Sequence, residues 1–402
     1  MSLRGEITDA NCYLGSHTHG YDHAFCAKLC AAAGSPLLFV ADQGGEIYLV
    51  LSERNGIRLP ENVLDRIGVP GIAVKGKVLD AGGMRALAVE GLAHKRQRDT
   101  KFELILLEVN MNKKEISASL AGDISLGGEI SVHRLGFGAM RLTGDGIWGS
   151  PKDRKGALAV LRRAVELDVN FIDTADSYGP HVNEELIAEA LFPYPPGLVI
   201  ATKGGWNRPG PNQWIHDATP SHLREAVEGS LKRLRLDRVD VYQLHIPDPV
   251  VSFDASMEAL AELRSEGKIR LVALSNVTQE HIERARKIVP IVSVQNRYSF
   301  ADREWDYVVS YCQRNGIAFI PWFPLGAGKV AGEVLSRIAQ AHGANPTQIA
   351  LAWLLRRSPI MLPIPGTSSI EHLEQNVAAA SVRLAEEEYE ELSGVRELVG
   401  SR

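Results

Sequence analysis

Eight short apolar runs, each followed or preceded by a stretch of helical periodicity, constrain the fold of this 402-residue chain more than any other feature. They are VHRLGFG (132–138), VNFID (169–173), LVIATK (198–203), VDVYQLH (239–245), IRLVALSN (269–276), IVSVQN (291–296), IAFIPWFPL (317–325) and IMLPIP (360–365). A strand that is apolar throughout is buried on both faces, and strands that alternate with helices build a parallel sheet covered by those helices. The intervening segments have the matching amphipathic spacing. Leu223, Ala226, Val227, Ser230, Leu231 and Leu234 recur every three or four positions, and Leu158, Leu161 and Val165 do the same within 154–167. Repeated over residues 118–402, this pattern predicts an α/β fold, a closed (β/α)₈ TIM barrel rather than an open doubly wound sheet. ISLGGEISV (124–132) reads as a β-hairpin capping the bottom of the barrel.

Residues 1–94 have a different texture. LLFVA (37–41) and EIYLVLS (46–52) flank DQGG, and GIAVKGKVLD and MRALAVEGLA flank a turn at Ala81-Gly82-Gly83. Short strands with regular turns predict a small all-β barrel or sandwich. AFCAKLCAAAG (24–34) reads as a short helix ending at Gly34. Residues 95–117 are read as a linker region: HKRQRDTK (94–101) is charged, and FELILLEV (102–109) is strand-like and belongs to neither domain on sequence grounds.

Composition excludes several classes. A net charge of −5 gives no basic face for nucleic acid. No apolar run of transmembrane length is present, and the N-terminus lacks a signal-peptide core. Four cysteines are too few for a disulfide framework in a chain this long, so a cytoplasmic protein with reduced thiols is expected. Cys12, Cys26 and Cys30 with His17, His19 and His23 match no common zinc spacing, and are read as small thiols and solvated histidines rather than a metal site.

The polar residues of the barrel gather at strand ends. Asp173, Lys203 and His245 close three neighbouring apolar runs, and Tyr178 follows Asp173 in the next loop. C-terminal strand ends form the active-site rim of such barrels. Taken singly, each has an ordinary explanation: a helix cap, a solvated lysine, a structural histidine. Together they suit carbonyl reduction, which adds a hydride at carbon and a proton at oxygen. A phenol is a weak acid, and a neighbouring ammonium lowers its pKa. Asp173 would pair with Lys203, and His245 would orient the carbonyl oxygen.

The stretches LGFGAMRLTG (135–144), NFIDTADSYGP (170–180), IATKGG (200–205), LHIPD (244–248), GKIRLVALSN (267–276), VQNRYS (294–299), PWFPLGAG (321–328) and LPIPGTSSIEHLEQN (362–376) resemble, in order, the bacterial aldo-keto reductases. The resemblance implies NAD(P)H-dependent reduction of an aldehyde or ketone, with Tyr178 as general acid, Lys203 and Asp173 assisting, and His245 orienting the substrate. It places the nicotinamide carboxamide on Ser275, Asn276 and Gln295, and the ring on Trp322. Leu325, Gly326, Gly366, Thr367 and Ser368 would follow the pyrophosphate and ribose, and Gln375 and Asn376 the adenine. NADPH is the implied cofactor, but relatives that prefer it often carry Lys and Arg where this chain has Gly366 and His372, so NADH is also admitted. Phe323 stands where many relatives have Ser. The N-terminal stretches GEITDANC and GSPLLFVADQGGEIYLV resemble a small bacterial β-barrel domain without assigned function. The alternative reading is a cofactor-binding regulatory or scaffold barrel, with the N-terminal module as its partner contact. The sequence does not name the substrate; pyridoxal and simple aldehydes are first candidates by resemblance only.

Overall fold

The computed structural model describes residues 2–9, 37–41, 47–52, 72–81, 84–92, 116–326 and 332–394. The chain divides into two compact units, Met1–Lys114 and Glu115–Arg402.

In the first unit, strands β1 (Ser2–Asp9), β2 (Leu37–Ala41), β3 (Ile47–Ser52), β4 (Ile72–Ala81) and β5 (Met84–Leu92) pair in the order β1-β2-β3-β5-β4. β4 returns to β1 and closes the sheet. The β3–β5 pair is parallel and the others antiparallel. Leu37, Leu38, Phe39 and Ala41 of β2 are buried, as is Val50 of β3. The predicted helix at 24–34, the DQGG turn, Gly82-Gly83, Cys12, Cys26, Cys30, His17, His19, His23, and the stretches 94–101 and 102–109 lie outside the described residues.

The second unit opens with an antiparallel hairpin, β6 (Asp123–Leu126) and β7 (Ile130–His133). The barrel strands follow, each leading into helix: β8 (Phe137–Gly138), α1 (Arg154–Glu166), β9 (Phe171–Asp173), α2 (Val182–Leu191), β10 (Val199–Gly204). A two-residue hairpin, β11 (Trp206–Asn207) and β12 (Ile215–His216), interrupts the third unit before α3 (Pro220–Leu234). Then come β13 (Val239–Leu244), α4 (Phe253–Ser265), β14 (Ile269–Ser275), α5 (Gln279–Ala285), β15 (Ile291–Arg297), α6 (Asp306–Asn315) and β16 (Ala318–Trp322). Helices α7 (Glu333–Ala341), α8 (Pro346–Arg357), α9 (Ile370–Ala378) and α10 (Glu386–Gly394) complete the unit. The parallel sheet runs β8-β9-β10-β13-β14-β15-β16.

Closure differs from the sequence expectation. The run IMLPIP (360–365) is a bridging segment rather than a strand. Phe319 donates to the Ile360 carbonyl at 2.8 Å, Leu362 donates to that of Phe319 at 2.9 Å, and Gly136 donates to that of Pro363 at 3.0 Å. Pro363 and Pro365 have no N–H, so no ladder propagates through them. The seam is tight: a Cβ on Gly366 would lie 2.4 Å from the Gly138 carbonyl oxygen. The expected first strand, VHRLGFG, also splits, because Val132 and His133 belong to the hairpin and Phe137 and Gly138 to the barrel. The result is a curled parallel sheet of the (β/α)₈ type.

Ile124, Leu126, Ile130 and Val132 of the hairpin share one buried cluster with Val199, Val241, Leu271, Val292 and Ala318 from the starts of the barrel strands. The hairpin therefore plugs the N-terminal end, and the C-terminal end is left for polar groups. Leu223, Ala226, Val227, Ser230 and Leu234 of α3 are buried. In α1 the buried face is Ala157, Val160, Leu161 and Ala164, one position round from the expected stripe; Leu158 and Val165 sit at its margin. Local chemistry fixes the helix starts: Asp153 caps α1, Thr219 and Pro220 start α3, and Asn345 with Gln348 forms a capping box on α8.

Expressed alone, residues 115–402 are expected to be soluble and to unfold in one cooperative thermal transition, because the sheet closes on its own segments. Thermal unfolding followed by circular dichroism checks this. An insoluble fragment, or one without a cooperative transition, would make residues 1–114 part of the folding unit.

Candidate active site

Asp173 is the last residue of β9, Lys203 lies one residue from the end of β10, and His245 directly follows β13. Parallel pairing sets these ends side by side, with Ala201 opposite both Asp173 and Val241. Lys203 Nζ donates to Asp173 Oδ2 at 2.7 Å and to the Thr174 carbonyl at 2.8 Å. Both side chains are almost wholly removed from solvent, 0% and 3% exposed. The ammonium sits 5.1 Å from the centre of the Tyr178 ring, and the Tyr178 and His245 rings meet edge to face at 5.8 Å. Asp173, Tyr178, Lys203 and His245 are therefore one buried constellation.

The loop that carries Tyr178 is held at several points. Asp176 N–H donates to the Lys203 carbonyl, and Asn183 N–H to that of Tyr178. The Asn183 side chain accepts from Thr174 Oγ1 at 2.6 Å and donates to the Ala139 carbonyl at 2.8 Å. Gly179 has φ +100°, where any side chain would be strained and a Cβ would crowd Val182.

Electrostatics divide the four groups. Burial pushes the Tyr178 phenol above its ordinary value; Lys203 pulls it down and Asp173 pushes it further up. The expected lowering by the lysine is present but outweighed, so Tyr178 carries its proton through neutral pH. Burial works against the Lys203 ammonium too, but Asp173 and then Tyr178 outweigh it and hold its pKa above the ordinary value. Burial, then Lys203 and Arg208, push His245 well below its ordinary value, which makes it a neutral imidazole. Its Nδ1 lies 3.5 Å from Ser177 Oγ.

Sequence reading missed several groups here. Gln243 Nε2 donates to Asp173 Oδ1 at 2.9 Å, and Gln295 Nε2 donates to the same oxygen at 2.8 Å. The resemblance singles out Gln295 for the nicotinamide but not as a support for Asp173, and Gln243 is not singled out at all; only the inward register of β13 would have marked it. Behind Tyr178, Glu184 accepts from Thr202 Oγ1 and Arg233 Nε at 2.6 Å each. Burial, with Glu184 second, pushes the neighbouring Asp176 carboxyl up to about 8. Arg208 is also buried near His245 and bonds only backbone carbonyls.

The residues named for a dinucleotide lie on the later strands and the segments after them, and Gln295 and Asn276 of this set touch the first group directly. Ser275 ends β14, Gln295 lies in β15 and Trp322 ends β16. Trp322 Nε1 donates to Asn276 Oδ1 at 3.0 Å, while Asn276 Nδ2 donates to the His245 carbonyl and to Ser275 Oγ. The Asn276 amide is thus engaged at both ends. A half-buried flat indole beside Ser275 and Gln295 fits a flat, amide-bearing ring. Leu325 and Gly326 are half-buried, and a Cβ on Gly326 would meet open space. Residues 327–331 lie outside the described residues. Thr367, Ser368 and Ser369 lead into α9, where Ser369 caps the helix and Thr367 Oγ1 accepts from Ser369 N–H. Ser368 is exposed, and so are Gly366 and His372. Gln375 bonds Glu371 and Asn345, and Asn376 is buried.

Among the described residues, no cluster of His, Cys, Asp and Glu has the form of a metal site, and no helix is long and apolar enough to cross a membrane. Cys312 is buried, and burial pushes its thiol up to about 12.

The chain is 48% identical over 279 residues to an uncharacterized oxidoreductase of Schizosaccharomyces pombe, covering 69% of this chain and 90% of that protein. It is 45% identical over 275 residues to pyridoxine 4-dehydrogenase of Escherichia coli, covering 67% and 96%. A crystal structure of an aldo/keto reductase from Klebsiella pneumoniae in complex with NADP and acetate matches with a TM-score of 0.57 at 27% identity, covering 67% of this chain and 93% of that one. The Aldo/keto reductase family profile matches residues 134–397, and the chain belongs to that family of oxidoreductases.

Proposed function

We propose that this enzyme reduces an aldehyde or ketone to the alcohol with NADPH, Tyr178 acting as the proton donor. The observation that carries the reading is the buried Lys203–Asp173 pair set against a protonated Tyr178 and a neutral His245. When bound, NADPH supplies the hydride. Proton transfer from Tyr178 Oη to the carbonyl oxygen leaves a phenolate, which the Lys203 ammonium stabilises in a site closed to water. Asp173 holds that ammonium, and Gln243 and Gln295 hold Asp173. When Ser177 Oγ–H donates to His245 Nδ1, the imidazole proton is on Nε2 and is available to the carbonyl oxygen. Ser275 and Gln295 would hold the nicotinamide carboxamide, with Trp322 against the ring and Asn276 fixing that tryptophan. Gly366, Thr367 and Ser368 would follow the phosphates, where the start of α9 favours negative charge. Leu325 and Gly326 would lie on the same path, and Gln375 and Asn376 would reach the adenine. A purely regulatory barrel has no use for four buried groups arranged this way.

The similarity to pyridoxine 4-dehydrogenase makes pyridoxal the first carbonyl to assay. Loss of NADPH absorbance with pyridoxal and a panel of aldehydes tests the function. A folded protein that oxidises the cofactor with none of them would overturn it.

Cofactor preference follows from Gly366 and His372. A charge-assisted hydrogen bond contributes ~1.5–3 kcal/mol, about 10–100-fold, and no Lys or Arg stands at these two positions. The ratio of kcat/KM for NADPH over NADH is therefore expected to stay below about 100-fold. A ratio in the thousands would mean that another basic residue holds the 2′-phosphate.

A further inference from the structure

Resting on the carbonyl-reductase reading, we propose that Asp176 is a positioning residue: acting through the Ser177 hydroxyl, it sets which nitrogen of His245 carries the proton, and so whether the ring can donate to the carbonyl oxygen.

Asp176 is 4% exposed and Ser177 2%. Both backbones are pinned. Asp176 N–H donates to the Lys203 carbonyl at 3.2 Å, His181 N–H donates to the Asp176 carbonyl at 2.7 Å, and Arg208 Nη1 donates to the Ser177 carbonyl at 2.9 Å. The Ser177 hydroxyl has two polar neighbours. One is the Asp176 carboxyl, which hydrogen-bonds both the N–H and the hydroxyl of Ser177. The other is His245 Nδ1 at 3.5 Å. A hydroxyl has a single proton to give. It goes to the carboxyl or to the imidazole, and the charge on Asp176 decides which.

The geometry favours a neutral Asp176 at first. Its Oδ1 is buried and has no hydrogen-bond partner among the described residues, which an acid tolerates far better than a carboxylate. The groups that face it come from four elements. Glu184 on α2 adds like charge, Arg233 on α3 opposes it, and the Tyr242 hydroxyl on β13 is buried without a partner. Tyr178, on the same loop, keeps its proton beside the Lys203 ammonium of β10. Burial and then Glu184 push the Asp176 carboxyl up to about 8, so it ionises just above neutrality.

With Asp176 neutral, Ser177 Oγ–H is free to donate to His245 Nδ1. Nε2 then carries the imidazole proton and presents it to the carbonyl oxygen. When Asp176 ionises, its carboxylate takes the Ser177 proton in a charge-assisted bond, roughly twice as strong as a neutral one. Ser177 Oγ then turns its lone pairs to Nδ1, and Nδ1 takes the imidazole proton. Nε2 is left bare and meets the carbonyl oxygen lone pair to lone pair. Burial, Lys203 and Arg208 keep His245 neutral in both states, so the change is one of tautomer and not of charge.

Two readouts test this between about pH 7 and about pH 9, below the range in which Tyr178 ionises. The first is kcat/KM with butanal or benzaldehyde, neither of which titrates there. The wild type is expected to lose about 10-fold across the range, as a group titrating near 8 passes from mostly protonated to mostly ionised. The second is the nitrogen–proton correlation spectrum of protein labelled at histidine nitrogen, with His245 identified by its loss in His245→Gln. The ring proton is expected to move from Nε2 to Nδ1 over the same range. Asp176→Asn is neutral at every pH and is expected to abolish both changes. Ser177→Ala leaves Asp176 to titrate but cuts it off from the ring, and is also expected to abolish both. A fall in rate that survives Ser177→Ala would mean that the Asp176 charge acts through space on Tyr178, and overturns the relay. So does a wild-type ring proton that stays on one nitrogen, or a flat wild-type rate profile; each leaves carbonyl reduction standing. If Asp176→Asn fails to fold, Ser177→Ala decides. If no carbonyl is turned over, carbonyl reduction falls by itself, and the nitrogen signals still decide whether Asp176 governs the ring.

Discussion

Tyr178→Phe is expected to lose ~10²–10⁴-fold in kcat, the usual cost of removing a general acid, while the dissociation constant for NADPH hardly moves. The substitution removes one oxygen from a ring already packed against His245 and beneath the Lys203 ammonium, so the barrel keeps its shape. In the proposed binding mode that oxygen takes no part in holding the cofactor, which would contact Ser275, Gln295 and Trp322. Single-turnover reduction and cofactor titration by fluorescence separate the two quantities. Turnover at the wild-type rate would remove Tyr178 from the chemistry. Equal losses in rate and cofactor affinity would show that the phenol acts through binding. Protonation gives a second readout. Burial holds the phenol above its ordinary pKa, so loss of the Tyr178 proton is not expected to lower the rate of reduction until well beyond neutrality.

Three of the four groups of this site were legible in the sequence because each ends an apolar run, and the parallel register of a barrel brings run ends together; Tyr178 was legible only as a neighbour in the loop after Asp173. Asp173, Lys203 and His245 needed no contact information beyond that rule. What surrounds them was not legible, for physical reasons. Gln243 sits within a strand, where an inward amide and an outward one look alike until the register is known, and Gln295, singled out for the nicotinamide, gave no sign that its amide also reaches Asp173. Arg208 lies in a polar, proline- and glycine-rich stretch and bonds only backbone, which leaves no complementary charge in the sequence. The sign of the Tyr178 shift depended on whether burial or the lysine dominated, and spacing does not report burial. At the seam, IMLPIP has the apolar character of a strand, but its prolines remove the donors that a ladder needs, and three hydrogen bonds close the barrel in place of a paired strand. The error in α1 is of another kind: small residues, Ala157 and Ala164, face the sheet where the helix approaches closely, and the larger Leu158 and Val165 sit at the edge.

Lys203→Met is expected to be the most destabilising single change in the site. The ammonium is wholly buried, and its loss leaves the Asp173 carboxylate buried with two amide donors but no counter-charge. Breaking a buried pair on one side costs ~3–5 kcal/mol, far above the ~0–1 kcal/mol of an exposed pair. Urea unfolding, with the m-value checked, measures it. The companion change is Asp173→Asn, which keeps an acceptor for Gln243 and Gln295 but removes the charge. In the double variant no uncompensated charge remains, so the two costs are expected not to add, and stability is expected to return most of the way to the wild type. Activity should not return with it. The double variant has no ammonium to stabilise the Tyr178 phenolate, so it is expected to fold, bind cofactor and reduce carbonyls as poorly as Lys203→Met does. Recovery of stability without recovery of rate separates the structural role of the pair from its chemical one. A Lys203→Met variant within about 1 kcal/mol of the wild type would mean that water reaches Asp173, and the closed site on which the proton-transfer argument depends would not exist.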